Sequence, residues 1–282
     1  MTEPLLFDRR LCLAAGLAAL ALGGTRAIAA PFASRRISVT VRGSGPDVLL
    51  IPGLASGAGI WNGAVAAVPD YRYHLVQVRG FAGLAPDINK SGPLIAPLVG
   101  ELASYITQAR LVRPAVVGHS MGGTLAMMLA MSPAPALSRV MVVDMLPDGA
   151  SMVGGTASGM GYFADQLSQY FTATKAGRQL FMQMLAQQPG AKGSDPDVIA
   201  TALRELAHID LGPRLPALRA PMQVVYAVGG DAQQRHAQTQ RYRSAYAAAK
   251  STSLIPIAPS GHMIMNDQPA KFAAALRAFL KP

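Results

Sequence analysis

The stretch Pro114-Ala-Val-Val-Gly-His-Ser-Met-Gly-Gly-Thr124 constrains this chain more than any other. Ala115, Val116 and Val117 read as a short, fully buried strand. From Thr124 the run Leu-Ala-Met-Met-Leu-Ala-Met has the composition of a buried helix. Between strand and helix there is room only for a sharp turn, with Ser120 at its tip. Gly118 and Gly122 flank that serine two residues to either side. A side chain at either place would collide as strand and helix close on each other, so only very small residues fit. The pattern is G-x-S-x-G, with the strand before it and the helix after it that such an elbow needs.

On these residues the chain resembles the α/β-hydrolase superfamily, in its large group of small esterase-like members carrying a cap insertion. The resemblance implies that Ser120 is a nucleophile on a strained turn and that a histidine and a carboxylate lie further along the chain. The landmarks that follow are taken in chain order.

The first thirty residues read as an export signal rather than as part of the fold. Arg9 and Arg10 precede an apolar run from Leu11 to Leu22, and Ala27-Ile28-Ala29 supplies the small residues of a signal-peptidase site. The apolar run is too short to span a bilayer comfortably, and the paired arginines resemble the twin-arginine signal, which exports folded proteins. Residues 1–29 are therefore expected to be removed. The mature chain would be periplasmic or secreted, with no stable membrane insertion. Cys12, the only cysteine, lies inside this segment. Its removal excludes disulfides, cysteine nucleophiles and thiolate metal sites together.

The core is expected over 30–145 and 217–282, as a doubly wound, mostly parallel α/β sheet. Ile37 to Val41 alternates as an edge strand, and Gly43-Ser-Gly-Pro46 reads as a hairpin-like turn. Asp47 to Ile51 is a central strand ending in Pro52-Gly53-Leu54. In the family this loop usually reads His-Gly and then an apolar residue whose backbone N–H helps form the oxyanion hole. That donor falls at Leu54, and the second at Met121, so the proline in place of histidine removes neither. Tyr73 to Val78 is the next strand, and Arg79-Gly-Phe-Ala-Gly83 resembles the family's Asp-x-Arg-Gly-x-Gly turn, with Gln77 where an aspartate often sits. Residues 94–111 read as a helix interrupted early by Pro97, and Arg139 to Val143 as a strand ending at Asp144.

From 146 to 216 no strand-like run appears; Gly-rich turns and helical stretches at Tyr162–Tyr170 and Arg178–Gln187 suggest the family's helical cap, lined by methionines such as Met152, Met160, Met182 and Met184. The sheet resumes at Pro221 to Val228, followed by Gly229-Gly230-Asp231. A helix is expected from Arg241 to Lys250, a last strand from Leu254 to Ile257, and a closing helix from Ala270 to Leu280. Between that strand and that helix stands Ser260-Gly261-His262, where the family places its base. His119 is the variable residue of the elbow; His74, His208 and His236 have no supporting context.

These residue types suit one chemistry. A hydroxyl is a poor nucleophile, so an imidazole must take its proton, and a carboxylate must fix the imidazole tautomer. The resemblance implies that the acid is Asp231, after the strand where the family more commonly places it and one helix and one strand before His262. Asp144, at the end of the preceding strand, is the second candidate. The expectation is thus a serine hydrolase cleaving a carboxylic ester or related acyl substrate, without cofactor or metal. Lactonase, carbon–carbon bond hydrolase and cofactor-free haloperoxidase activities use the same triad, and a non-catalytic small-molecule receptor is the reading from another class. The net charge of +10 is scattered, with no basic block or zinc-finger spacing, so nucleic-acid binding has no support.

Overall fold

The computed structural model describes residues 32–149 and 192–281, together with positions 174, 176, 177, 179 and 183. Seven strands form one sheet: β1 (Ile37–Arg42), β2 (Asp47–Ile51), β3 (Arg72–Val78), β4 (Ala115–His119), β5 (Arg139–Val143), β6 (Met222–Ala227) and β7 (Thr252–Ile257). Their spatial order is β1-β3-β2-β4-β5-β6-β7. Only β1 runs antiparallel to its neighbour, and every other pairing is parallel. The turn Gly43–Pro46 does not close a hairpin: β1 pairs with β3, from Ile37 opposite Val78 to Arg42 opposite Tyr73, and β3 lies between β1 and β2. Positive φ at Gly43 and Gly45 turns the chain out of β1, so it enters the sheet again on the far side of β3.

The central strands are apolar throughout because both faces are covered. On one face Leu49, Ile51, Val116, Val140, Val142, Val224 and Tyr226 join a core with helices α2 (Ile95–Gln108) and α3 (Met121–Met131). On the other, Val48, Leu50, Val117, Met141, Val143 and Val225 pack with α1 (Asn62–Ala67) and the last two helices. The period of two is visible in β2 and β5, where successive residues enter opposite cores.

Four further helices matter below. α4 (Pro196–Ala207) falls within 146–216, α5 (Ala232–Ala245) follows β6, and α6 (Ile264–Asp267) with α7 (Pro269–Leu280) closes the chain. α2 is not interrupted at Pro97. The proline falls in the first turn, where an N–H has no intrahelical partner to lose. The N–H groups of Leu94 and Ile95 donate instead to the carboxylate of Glu205 on α4, at 2.9 and 2.8 Å. α5 begins nine residues before the expected helix at Arg241. Its early turns, Ala-Gln-Gln-Arg-His-Ala-Gln-Thr-Gln, show no apolar stripe, and a capping box at Asp231 and Gln234 starts them.

Within 146–216 the described residues contain α4, a 3₁₀ turn at Gly212–Ala217 and one isolated antiparallel bridge between Asp148 and Asp210. Tyr162–Tyr170 and the four methionines named above lie outside the described residues, as do residues 1–31; of 178–187 only Gln179 and Gln183 are described, both helical. No helix among the described residues is long and apolar enough to cross a membrane.

Candidate functional site

The carboxyl ends of β2, β4, β5 and β6 lie side by side, and the loops leaving them form one edge of the sheet. In open parallel sheets this is the edge where ligands bind. Ser120 leaves β4 there with φ 52° and ψ −121°, outside the regions a non-glycine residue ordinarily occupies. Its N–H donates to Val143 O at 2.9 Å, and its carbonyl accepts from Gly123 N at 2.7 Å. The strained turn is thus held by the neighbouring strand and by the helix it starts. The glycines are required by contact. A Cβ on Gly118 would run into the carbonyl of Gly122, and one on Gly122 into the carbonyls of Ile51 and Pro52.

The loop after β2 rests on this elbow. A Cβ at Gly53 would lie 2.8 Å from Nδ1 of His119 and 3.1 Å from Cβ of Ser120, so Gly53 brings the backbone of Leu54 close to the serine. Two side chains hold the loop. Oε1 of Gln77 accepts from Ala58 N at 2.8 Å while its amide donates to Phe81 O at 2.9 Å. Ser194, buried within the insertion, accepts from Ala82 N at 2.8 Å and donates to Ala55 O at 3.2 Å. The glutamine in the aspartate's usual place therefore ties the loops after β2 and β3 together.

His262 stands on the loop after β7, close to the elbow. The carbonyl of His262 accepts from Nε2 of His119 at 2.9 Å, and the two rings lie 4.6 Å apart between centroids. His119 is 1% exposed, and burial, with His262 adding to it, pushes its imidazole pKa down to about 4. It is neutral at ordinary pH, with its proton on Nε2, the atom facing a carbonyl.

The geometry places the two candidate aspartates differently. Oδ2 of Asp144 lies 2.7 Å from Nδ1 of His262. The same carboxylate, 5% exposed, accepts on Oδ1 from Ala227 N and from the hydroxyl of Tyr242, both at 2.9 Å. Asp231, the expected acid, caps α5 instead. Its Oδ1 accepts from Gln234 N at 2.8 Å, its own N–H donates to Oε1 of Gln234 at 2.9 Å, and it is exposed. A carboxylate one residue ahead of a helix with a glutamine at the third position is drawn into a capping box.

His74 is structural, as its strand position suggests. It is buried at the opposite edge of the sheet, with Nδ1 2.5 Å from the hydroxyl of Tyr105 and Nε2 2.8 Å from Asp47, which also pairs with Arg72. His236 is exposed on α5. Sequence reading passed over His119, Ser194, Tyr242 and Tyr246. The last two stand four apart and so share one face of a helix, which was a legible signal. Among the described residues no three His, Cys, Asp or Glu side chains converge as a metal site requires.

Comparison with known proteins agrees with this fold. The sequence model of the Alpha/beta hydrolase family matches residues 48–275. A pimeloyl-[acyl-carrier protein] methyl ester esterase of Vibrio vulnificus (strain YJ016) is 26% identical over 204 residues, which are 66% of this chain and 76% of that protein. Among solved structures, an esterase (EaEST) from Exiguobacterium antarcticum superposes with a TM-score of 0.69 at 18% identity, over 87% of this chain and 96% of that one. The enol-lactonase from Burkholderia xenovorans LB400 does so with a TM-score of 0.63 at 17% identity, over 86% and 96%. At such identities the structures share the fold.

Proposed function

Since the chain belongs to the α/β-hydrolase family and is a hydrolase, we propose that it cleaves a carboxylic ester through Ser120, His262 and Asp144. The observation that carries this reading is the 2.7 Å contact between Asp144 and His262, on a loop held against the elbow of Ser120 through His119. With Asp144 accepting from Nδ1–H, the bare Nε2 of His262 is left to take the proton of Ser120.

In the first half-reaction Oγ of Ser120 attacks the ester carbonyl carbon as Nε2 takes the hydroxyl proton. The carbonyl oxygen becomes an oxyanion, met by the N–H groups of Leu54 and Met121. On collapse the C–O bond to the alcohol breaks, and the proton on Nε2 leaves with the alcohol. Water then repeats the sequence on the acyl-serine and releases the acid. Met121 is the first residue of α3, whose N–H has no intrahelical partner, so both this free donor and the helix dipole favour negative charge there. One such donor supplies about 3 kcal/mol of transition-state stabilisation.

Two expectations belong to the same reading. Residues 146–216 form a helical cap over the site, a view supported by α4, whose Glu205 is bound to the start of α2, and by Ser194 on the loop after β2. Residues 1–29 direct export and are removed, a view supported by Arg9-Arg10 and Ala27-Ile28-Ala29. The substrate is a small ester-like molecule, and no cofactor takes part.

The test is a panel of p-nitrophenyl esters from acetate upward, with a lactone series beside it, on wild type and Ser120→Ala. A fluorophosphonate should label wild type at Ser120, and Ser120→Ala should lose ester turnover while keeping its fold. Absence of both labelling and turnover in the wild type would favour the receptor reading.

A further inference from the structure

Resting on the reading above, we propose that Tyr242 is a positioning residue for the acid, holding Asp144 in the rotamer that serves His262. The usual acid place in this chain is taken by the capping box of Asp231, and the helix that follows does a different job. α5 carries Tyr242 and, four residues on, Tyr246 just past its end, so both rings face the end of β5. The hydroxyl of Tyr242 donates to Oδ1 of Asp144 at 2.9 Å, and that of Tyr246 donates to the carbonyl of Met145, the next residue, at 2.6 Å. Both tyrosines are buried at 3% exposure. The ring of Tyr242 stacks on Tyr226 of β6, with centroids 4.2 Å apart and planes 16° from parallel, which leaves its hydroxyl little freedom.

The division of the two carboxylate oxygens follows from these contacts. Oδ1 is filled by the N–H of Ala227 and the O–H of Tyr242, both donors fixed by β6 and its stacked ring. Oδ2 is left for Nδ1 of His262. A carboxylate so held cannot turn its filled oxygen toward the imidazole, so the proton stays on Nδ1. Burial, and then the charge of Asp144, hold the Tyr242 phenol far above its ordinary range, so it donates at every pH the protein meets. Asp144 itself has positive φ, 49°, and its N–H is bound to Val225 O. Backbone and side chain are therefore fixed separately, the second by Tyr242.

The experiment pairs Tyr242→Phe, which keeps the stacked ring and removes one hydroxyl, with Tyr246→Phe, which removes a hydroxyl from a backbone carbonyl. Outer partners that orient a working side chain are worth about 10- to 100-fold. Tyr242→Phe should lower kcat in that range with KM within about two-fold, and should shift the low-field proton resonance of Nδ1–H of His262. Tyr246→Phe should lower thermal stability while kcat falls by less than about three-fold. In an Asp144→Asn background, Tyr242→Phe should change kcat by less than about two-fold, because the carboxylate it serves is gone. Equal losses in both backgrounds, or an unmoved resonance in Tyr242→Phe, would overturn the proposal. A fluorotyrosine at 242 is the second variant should phenylalanine fold poorly; it alters only donor strength, and it must move both kcat and the resonance. Labelling of wild-type Ser120 separates the two failures. If Ser120 labels and Tyr242→Phe is silent, this inference fails alone. If Ser120 does not label, the hydrolase site fails, and the resonance still decides whether Tyr242 orients the Asp144–His262 pair.

Discussion

Asp144 and His262 stand 118 residues apart in the chain, with Oδ2 of one 2.7 Å from Nδ1 of the other. The contact joins the end of β5 to the loop after β7, across β6. Asp144→Asn keeps the shape but offers an amide where a carboxylate accepted from Nδ1–H, favouring the wrong tautomer. kcat should fall by about four orders of magnitude. Asp231→Asn should leave kcat within about two-fold, since asparagine caps a helix as well as aspartate does, and Asp231→Ala should cost about 1 kcal/mol of stability. Steady-state kinetics and urea melts of the three variants decide it; a large kinetic loss in Asp231→Asn would return the acid to that position.

The pH dependence of stability should carry a contribution from His119. Its pKa is lowered to about 4, by burial first and by His262 second, while an unfolded histidine titrates near 6.5. Above pH 6.5 the ring is neutral in both states and its contribution is complete. As pH falls from 6.5 toward 4 the unfolded chain binds a proton that the folded chain refuses, so stability declines by on the order of 3 kcal/mol. In His119→Gln, whose amide can still donate to the carbonyl of His262, that part of the slope should vanish. Urea midpoints at pH 7, 5.5 and 4.5 measure the difference; His74, also shifted down, contributes equally to both proteins and cancels. A variant with the wild-type slope would show that His119 titrates normally.

The export reading gives a plain biochemical prediction. Native protein should begin near Ala30 and be found outside the cytoplasmic membrane, because Ala27-Ile28-Ala29 is the cleavage context. Changing Arg9 and Arg10 to lysine should block export through a twin-arginine route. Mass spectrometry of fractionated cells tests both, and an intact start at Met1 or Thr2 would refute the signal.

The fold was legible because its signals are local. Apolar runs such as Asp47–Ile51 and Arg139–Val143 mark strands covered on both faces, and the glycines about Ser120 mark a turn no larger residue could make. The places of Ser120 and His262, at the elbow and on the loop after the last strand, were legible for the same reason: each follows a recognisable strand. The carboxylate that meets His262 was not. Asp144 and Asp231 both follow strands, and nothing near Asp144 says that it meets an imidazole. Asp231 was decided locally after all, by Gln234 three residues later, a capping signal that the sequence held and that outweighed the family's commoner geometry. Glu205 at the start of α2 and Ser194 beside Ala55 escaped notice because their partners lie more than a hundred residues away. Such contacts depend on tertiary packing and leave no periodic trace.

Ser194 offers a prediction about the oxyanion loop. The residue is 3% exposed, and its hydroxyl joins Ala82 N to Ala55 O, one residue beyond the proposed donor Leu54. Ser194→Ala leaves a half-buried N–H and a buried carbonyl without that partner, which should cost about 1 to 3 kcal/mol of stability. The loop keeps its second anchor, the bond from Ala58 N to Gln77, so it should loosen rather than detach. If Leu54 supplies an oxyanion donor, the loosening acts on the transition state more than on bound substrate. kcat should then fall by about 10-fold with little change in KM, and Ser194→Thr, which keeps a hydroxyl, should recover part of the loss. Thermal melts and ester kinetics on the two variants check this. A Ser194→Ala protein with lowered melting temperature and unchanged kcat would place the work of Ser194 in the fold alone, with Leu54 held by the rest of its loop.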